Sequence, residues 1–419
     1  MSLPRTLFMA IGLLSGSLVH AQVSMTLGDC EQTFRKNNLQ LLAAQYDIDQ
    51  AKAQVIQARI WDQPYLSGEF NAINPGANRY FDVGNQGQKA AAVSQLIYLG
   101  GKKRNEVAFA KNNQQLAELQ FEDLIRNLKL QLRQSFYTLY FDRQNIHMLE
   151  FQVSNLDSLV GAYNKQSDLH NISLRDVVRL QALSLQLKKD LLDFRQSINE
   201  EEAKLQLITG TSEVIEPSVD SSALQQRFRN ITLKTPDDML QSAVQKNPDF
   251  LYTQTLIENN ELMLRWQKSL SVPDLTLGGA YDQRGGAFNN QVNVTLGMPL
   301  PLWNRNKGNI RSAKAGLEQS KLNKDYKVAE LRAQIQTTYA NWQQTRNQYL
   351  QFSDTSRANF GIVYNGIVQN FQKRNISLLD FTDFIESYNQ SLLSLSDMQK
   401  QLLFSEETLN YLANESIFE

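Results

Sequence analysis

The chain is predicted to be mainly α-helical with a small β part, and to be built twice over. Asn171-Ile-Ser-Leu-Arg-Asp176 returns almost half a chain later as Asn375-Ile-Ser-Leu-Leu-Asp380 in a sequence of 419 residues. From Lys102 to about Tyr163 there is no proline and one glycine, Gly161. Within that stretch Ile146, Leu149, Val153, Leu156, Val160 and Tyr163 step alternately by three and four, the heptad seam of supercoiled helices. Four short segments alternate apolar with polar or small residues, the period of strands.

The first 21 residues read as a removable leader. Arg5 is positive, Leu7 to Val19 is apolar, and Val19-His-Ala21 is a small-x-small cleavage site. The apolar run falls short of the roughly 20 residues that span a bilayer, and no later run reaches about 18. The mature chain is therefore expected to be exported without a helical anchor. Cys30 is the only cysteine, which rules out an intrachain disulfide, and Asp29 before it is not the small residue a lipid-modified cysteine requires. It reads as a small buried side chain at the start of the first helix.

Residues 22–213 form the first expected repeat. Asp29 to Trp61 lacks proline and glycine and reads as one helix, ended by Pro64. A strand over 64–74 places Leu66, Gly68, Phe70 and Ala72 on one face and Tyr65, Ser67, Glu69 and Asn71 on the other. A strand over 89–99 opposes Ala91, Val93, Ile97 and Leu99 to Ala92, Ser94 and Tyr98. The Gly- and Asn-rich stretch Asn74 to Gln88 reads as a loop. The helix from Lys102, some 60 residues at 1.5 Å rise, makes a rod of roughly 90 Å, too long for a compact domain. Asp168 to Asn171 interrupts it, and Ser173 caps a returning helix that runs to about Thr209.

Residues 214–235, with Pro217 and several serines, read as a connecting segment. Residues 236–419 then repeat the plan. A helical stretch from Pro236 to Lys268, broken near Pro248, leads to strands over 273–282 and 291–300. Val292, Val294, Leu296, Met298 and Leu300 alternate there with Asn293, Thr295 and Gly297, after a turn at Gly285-Gly286. One long helix is expected from about Lys307 to Gln372. After the second tip, Phe381, Ile385, Tyr388, Leu392 and Leu395 step by four and three. Lys36-Asn-Asn38 answers Lys246-Asn-Pro248, Gly100-Gly-Lys-Lys-Arg-Asn105 answers Asn304-Arg-Asn-Lys-Gly-Asn309, and Arg143 falls nearly in register with Arg346. The landmarks keep their order, which marks a tandem duplication.

Strands of about ten residues with one apolar and one small or polar face suit an outer membrane. An open sheet in lipid leaves backbone groups unpaired at its edges, so the sheet must close into a barrel. Four strands cannot close, and the smallest transmembrane barrels have about 8, so several chains must contribute. Twelve strands from three chains would leave an open bore. A small soluble sheet packed on helices is the alternative. Exposed Gln and Asn on helices with neighbours on both sides suit a water-filled cylinder; a plain coiled-coil rod would leave the leader and strands unexplained.

Lys+Arg number 42 against 43 Asp+Glu, and the loss of Arg5 leaves 41 against 43, a net of −2. Nothing here points to nucleic acid. With His20 lost, only His147 and His170 remain, without a metal-ligand spacing, and methionines form no soft-metal stripe. No phosphate-binding glycine loop, nucleophile elbow or paired cysteine nucleophile is present, so neither catalysis nor a cofactor is expected. Lys102, Lys103 and Arg104, unfavourable at a helix N-terminus, would meet either lipid headgroups or solvent.

The tips Asn171-Ile-Ser-Leu-Arg-Asp-Val177 and Asn375-Ile-Ser-Leu-Leu-Asp-Phe381, the opening Leu27-Gly-Asp-Cys30 with Asn37-Asn38, and the junction Met298-Pro-Leu-Pro-Leu-Trp-Asn-Arg-Asn-Lys-Gly-Asn309 occur in order across the mature chain. In these the sequence resembles the TolC family of outer-membrane efflux ducts. The resemblance implies a homotrimer with a twelve-stranded barrel in the outer membrane of a Gram-negative cell and a helical tunnel in the periplasm. It implies a passive duct docked onto a periplasmic adaptor and an inner-membrane pump. The docking tips would be Asn171, Ile172, Ser173, Leu174, Asn375, Ile376, Ser377 and Leu378. The junction looks most like the branch serving cation and heavy-metal exporters of the resistance-nodulation-division type. A periplasmic adaptor or an envelope scaffold is the competing reading, although an adaptor carries one hairpin and no tandem repeat.

The same resemblance assigns a periplasmic gate to Asp176, Asp380 and Asp383, which three-fold symmetry would turn into rings of carboxylates. Asp176 and Asp380 also suit the positive end of a helix dipole, and both readings stand at this point. Many relatives carry glycine at the second tip, where this chain has Lys373-Arg374.

Overall fold

A computed structural model describes residues 22–229, 234–285, 287–303, 305–352 and 354–418. The expected leader, Gly286 of the expected turn and Asn304 of the junction lie outside the described residues. The first part of the chain runs β1 (Gln22–Met25), α1 (Leu27–Asn37), α2 (Leu39–Arg59), β2 (Tyr65–Phe70), β3 (Ile73–Asn74), β4 (Arg79–Tyr80), β5 (Gln88–Ile97), α3 (Lys102–Asp168) and α4 (Leu174–Thr209). After β6 (Val214–Pro217) and α5 (Ser221–Arg229) come α6 (Pro236–Lys246), α7 (Pro248–Ser269), β7 (Leu275–Arg284), β8 (Phe288–Gly297), α8 (Lys307–Gln351), α9 (Asp354–Gln372) and α10 (Leu378–Ala413). None of the described helices is long and apolar enough to cross a membrane.

Three local expectations are corrected. Asp29 to Trp61 is two helices, because Asn38 adopts an extended backbone (φ −64°, ψ 114°). Its buried side-chain Nδ2 donates to Ile208 O at 2.7 Å, capping a carbonyl at the end of α4 that no helical amide can reach. Asn247 does the same in the second repeat: its backbone is extended (φ −71°, ψ 117°), and Nδ2 donates to Leu412 O at 2.9 Å in the last turn of α10. The expected helix from Lys307 to Gln372 also breaks, with Phe352 extended (φ −81°, ψ 95°) ahead of a Ser-Asp-Thr sequence that has helix-starting chemistry. Finally, the loop between the first two strands holds a short hairpin, β3 against β4. Buried Asp82 organises that loop, its carboxylate accepting from Asn74 Nδ2 at 3.1 Å and Gly84 N at 3.1 Å.

By packing, the chain divides into two compact units. The first comprises residues up to Asn38, Gln131–Gln226 and Ser353–Lys400. Its β1 and β6 pair in parallel, Gln22 opposite Val214 through Met25 opposite Pro217. Thr26 caps α1 in a box with Asp29, each side chain accepting from the other's backbone amide. Arg133 Nε meets Glu31 at 2.7 Å, and Arg143 Nη2 meets Glu202 at 2.7 Å. The main core of this unit joins Leu149 and Leu156 of α3, Leu180, Leu183, Leu187 and Leu191 of α4, Tyr364 and Phe371 of α9, and Phe381 and Ile385 of α10. The heptad seams therefore meet one another in a four-helix core.

The second unit comprises Leu39–Leu130, Arg227–Phe352 and Gln401–Glu419. It holds an antiparallel sheet in the order β2-β5-β7-β8, so β5 and β7 from the two repeats are neighbours. Deeper in the unit Glu406, fully buried, receives Arg227 Nε at 2.8 Å and Trp342 Nε1 at 3.2 Å. Glu415 gathers Lys234 Nζ at 2.7 Å and Ser242 Oγ at 2.7 Å, which pull its carboxyl down to about 2. A carboxyl lowered by folding contributes stability that is complete above its ordinary value and is lost as pH falls through the folded one. Acid unfolding of wild type should therefore show a component between about pH 4.5 and 2 that Glu415→Gln removes; titration curves that superimpose would exclude it.

Candidate functional site

The two tips are the same turn made twice. In each, a helix ends with one non-glycine residue in the left-handed region, His170 (φ 61°) and Arg374 (φ 62°). The amide of the following asparagine closes a six-residue loop, Asn171 N to Gln166 O at 2.9 Å and Asn375 N to Asn370 O at 2.8 Å. The asparagine side chains repeat the pairing, Asn171 Nδ2 to Gln166 Oε1 at 2.9 Å and Asn375 Nδ2 to Asn370 Oδ1 at 3.2 Å. The glycine missing from the second tip is thus not needed, because Arg374 adopts the conformation at a cost of roughly 1–2 kcal/mol. Arg374→Gly should raise stability by up to about 1 kcal/mol, read from thermal melting; a lower melting temperature would show that the arginine side chain is needed in place.

After each turn a serine caps the returning helix. Ser173 Oγ accepts from Asp176 N at 3.2 Å, and Ser377 Oγ accepts from Asp380 N at 3.1 Å. Ser377 Oγ also donates to Asp380 Oδ2 at 2.7 Å, whereas the Asp176 carboxylate lies 3.6 Å from Arg175 Nε. Asp380 is therefore engaged in the helix start, while Asp383, one turn on, is exposed. Phe371 and Phe381 stack at 4.1 Å between ring centroids with planes 11° apart, and Tyr163 stacks on Phe371 at 5.9 Å. Burial pushes the Tyr163 hydroxyl up; the Asp176 charge adds to the rise and the Arg374 charge opposes it, so groups from both tips converge on this ring.

The tip residues divide by exposure. Ile376 and Leu378 pack against the four-helix core, whereas Leu174 is 70% exposed. Leu174 thus stands exposed where its counterpart in the second tip, Leu378, packs inward beside Ile376.

In the sheet, strand register sorts the side chains by face. Leu66, Val93, Gly279 and Val294 form one cross-strand row, and Gly68, Ala91, Tyr281 and Val292 another on the same face. The opposite face reads Tyr65, Ser94, Gly278 and Thr295, then Ser67, Ala92, Ala280 and Asn293, then Glu69, Ala90, Asp282 and Gln291. Val292, Val294 and Leu296 are 71–82% exposed. Within the chain β2 and β8 are edge strands. Gly278 lies where three strands crowd: an added Cβ would meet Thr295 Oγ1 at 2.6 Å and Val93 O at 2.9 Å.

Lys102 and Lys103 correct an expectation. Lys102 is buried, with Nζ 2.6 Å from Asp274 Oδ2, and Lys103 Nζ reaches Ala58 O at 3.3 Å and Glu106 at 3.0 Å. Lys102 is therefore neither a lipid nor a solvent contact, Lys103 is half-buried in its contacts, and only Arg104 of the three is exposed. Sequence reading also passed over Glu406, Arg227 and Trp342, which lie far apart in the chain and share no motif. Among the described residues, no three His, Cys, Asp or Glu side chains are placed to hold a metal ion.

The family described as outer membrane efflux protein matches residues 32–211 and 239–415, one stretch in each repeat. The cobalt-zinc-cadmium resistance protein CzcC of Cupriavidus metallidurans is 18% identical over 277 residues, 66% of this chain and 63% of the relative. The match thus spans less than two thirds of that curated relative's length. The CmeC outer membrane channel of Campylobacter jejuni superposes with a TM-score of 0.72 at 16% identity, covering 94% of this chain and 86% of that one. The outer membrane protein VceC of Vibrio cholerae gives 0.69 at 15% identity, covering 94% and 97%. The fold is that of these channels, and since the family match takes in most of both repeats, the chain belongs to the outer membrane efflux protein family.

Proposed function

We propose that the protein is a passive outer-membrane exit duct, working as a homotrimer whose three four-stranded sheets close into a twelve-stranded barrel. The observation that carries this reading is the sheet. Val292, Val294 and Leu296 stand exposed on one face, small and polar residues line the other, and both edge strands await partners. In hydrocarbon each unpaired backbone group costs several kcal/mol, so such a sheet is stable only when neighbours close it. Electron microscopy of the detergent-extracted protein tests the assembly: three-fold particles with an open bore support it, and monomers would remove the barrel argument.

The helical part would lie in the periplasm, with the tips facing an adaptor and, beyond it, an inner-membrane pump of the resistance-nodulation-division type. Asn171, Ile172, Ser173, Leu174, Asn375, Ile376, Ser377 and Leu378 would form the docking surface, with Leu174 the main apolar contact. Heavy-metal cations are the proposed cargo, supported by the junction from Met298 to Asn309 and by the resistance named in CzcC. Loss of the gene should then sensitise cells to cobalt, zinc or cadmium, and unchanged tolerance with new drug sensitivity would redirect the assignment.

Asp176, Asp380 and Asp383 are proposed to ring the closed tip. Asp383 is the strongest member, being exposed and free of the serine contact that engages Asp380. Asp380→Ala with Asp383→Ala should raise single-channel conductance in planar bilayers and weaken block by multivalent cations. Identical conductance and block in the double variant would take the gate away from these residues.

A further inference from the structure

A cavity of about 410 Å³ opens between α4 and α10 in the first unit, beginning at Glu386, one helical turn beyond Asp383, and running away from the tip to Asp397. Its charged lining is Asp190 on α4 with Glu386 and Asp397 on α10; Asn389, Gln186, Gln390 and Ser394 add neutral polar groups, and Leu187 and Leu393 form apolar wall. The α10 residues are spaced for one helix face, so the stripe is continuous along it. None of the residues lining the cavity is Lys or Arg. Asn389 is 3% exposed, yet neither its Oδ1 nor its Nδ2 has a hydrogen-bond partner. An amide buried without partners costs about 1–3 kcal/mol, a cost that a ligand supplying those partners would cancel.

We propose that this cavity binds a small organic ammonium cation, whose N–H groups donate to Asn389 Oδ1 and the Asp190 and Glu386 carboxylates while its apolar body lies on Leu187 and Leu393. A bare metal ion suits it poorly, because the carboxylates are not clustered to share one ion. Asp397 adds negative charge at the rim, tempered by Lys400 Nζ at 3.9 Å, and Asp190 accepts from Gln186 Nε2 at 3.4 Å. The site does not depend on the duct reading, since every residue in it belongs to one chain and one packed unit.

Saturation-transfer NMR and calorimetry on the full-length, detergent-extracted protein test the site, with benzylamine as probe and benzyl alcohol as its neutral counterpart. Benzylamine should bind saturably and benzyl alcohol at least tenfold more weakly. Asp190→Asn with Glu386→Gln should weaken benzylamine at least tenfold. Asn389→Leu should abolish binding while leaving the melting temperature unchanged or higher, because it removes no existing partner. Equal binding of the two probes, unchanged affinity in the carboxylate variant, or binding retained in Asn389→Leu would each overturn the proposal. So would a marked fall in melting temperature for Asn389→Leu, the mark of a cavity holding only structural water. Should the double carboxylate variant not fold, Leu393→Trp fills the cavity by size alone and must also remove binding.

Discussion

Arg227→Ala is expected to destabilise the second unit by about 3–5 kcal/mol, the cost of leaving a buried carboxylate without its counter-ion. Glu406 is fully buried, with Arg227 Nε 2.8 Å from one oxygen and Trp342 Nε1 3.2 Å from the other. Arg227 also reaches Glu407 at 3.1 Å. Burial pushes the Glu406 carboxyl above its ordinary range and the Arg227 charge is the largest influence opposing that rise, so removing the arginine raises it further. A carboxyl whose folded value exceeds its unfolded one binds extra protons when folded, so stability falls as pH climbs from the ordinary carboxyl range through the raised value. The deficit of the variant should therefore be smaller at pH 5 than at pH 8. Arg227→Met with Glu406→Leu, which removes both charges, should recover much of the loss. Melting followed by tryptophan emission reads the result, with Trp342 at the site; a pH-independent loss under about 1 kcal/mol would mean that water already reaches Glu406.

The helices and strands were legible because their signals are periodic and local. The seam from Ile146 to Tyr163 and the alternation from Val292 to Leu296 need no knowledge of what packs on them, although the strand ends at Gly297, short of the expected Leu300. The break at Asn38 was missed and the one near Pro248 was read, although both asparagines leave the helix in the same way, to satisfy a carbonyl more than 160 residues away, Ile208 O and Leu412 O. Only the second had a proline beside it to give a local hint. Lys102 misled for the same reason: its partner Asp274 belongs to the other repeat, so a buried ion pair looked like a solvated helix start. Arg143 and Arg346, nearly in register, both turn out to hold the connecting segment, through Ile215 O at 3.4 Å and through Phe228 O and Arg229 O at 2.9 and 2.8 Å. The tip acids came from the resemblance and not from the residues alone: Asp176 and Asp380 each follow a serine by three residues, the spacing a helix cap requires, so sequence could not separate the two roles.

Gly210→Ala is expected to cost about 2–5 kcal/mol, whereas Asn414→Gly, at the corresponding position of the second repeat, should stay within about 1 kcal/mol. Both residues end a long helix in the left-handed region, Gly210 at φ 68° after α4 and Asn414 at φ 50° after α10. Both face the end of the first helix of their own repeat, but differently. A Cβ on Gly210 would lie 2.5 Å from Asn37 O, a backbone atom that cannot move aside. Asn414 instead carries a side chain and uses it, Nδ2 donating to Lys246 O at 2.8 Å. Alanine at Gly210 therefore meets two penalties, roughly 1–2 kcal/mol for the left-handed backbone and about 1–3 kcal/mol for the overlap. Glycine at Asn414 loses one hydrogen bond, about 0.5–1.5 kcal/mol, and regains part of it by relieving the backbone. The two joints thus share a backbone turn and close it by different means, close packing at Gly210 and an amide bridge at Asn414. Thermal melting of the two single variants decides the matter. A loss of only about 1–2 kcal/mol at Gly210 with none at Asn414 would show that conformational preference alone governs both ends, and a larger loss at Asn414 would mean that the amide bridge outweighs close packing in holding these joints.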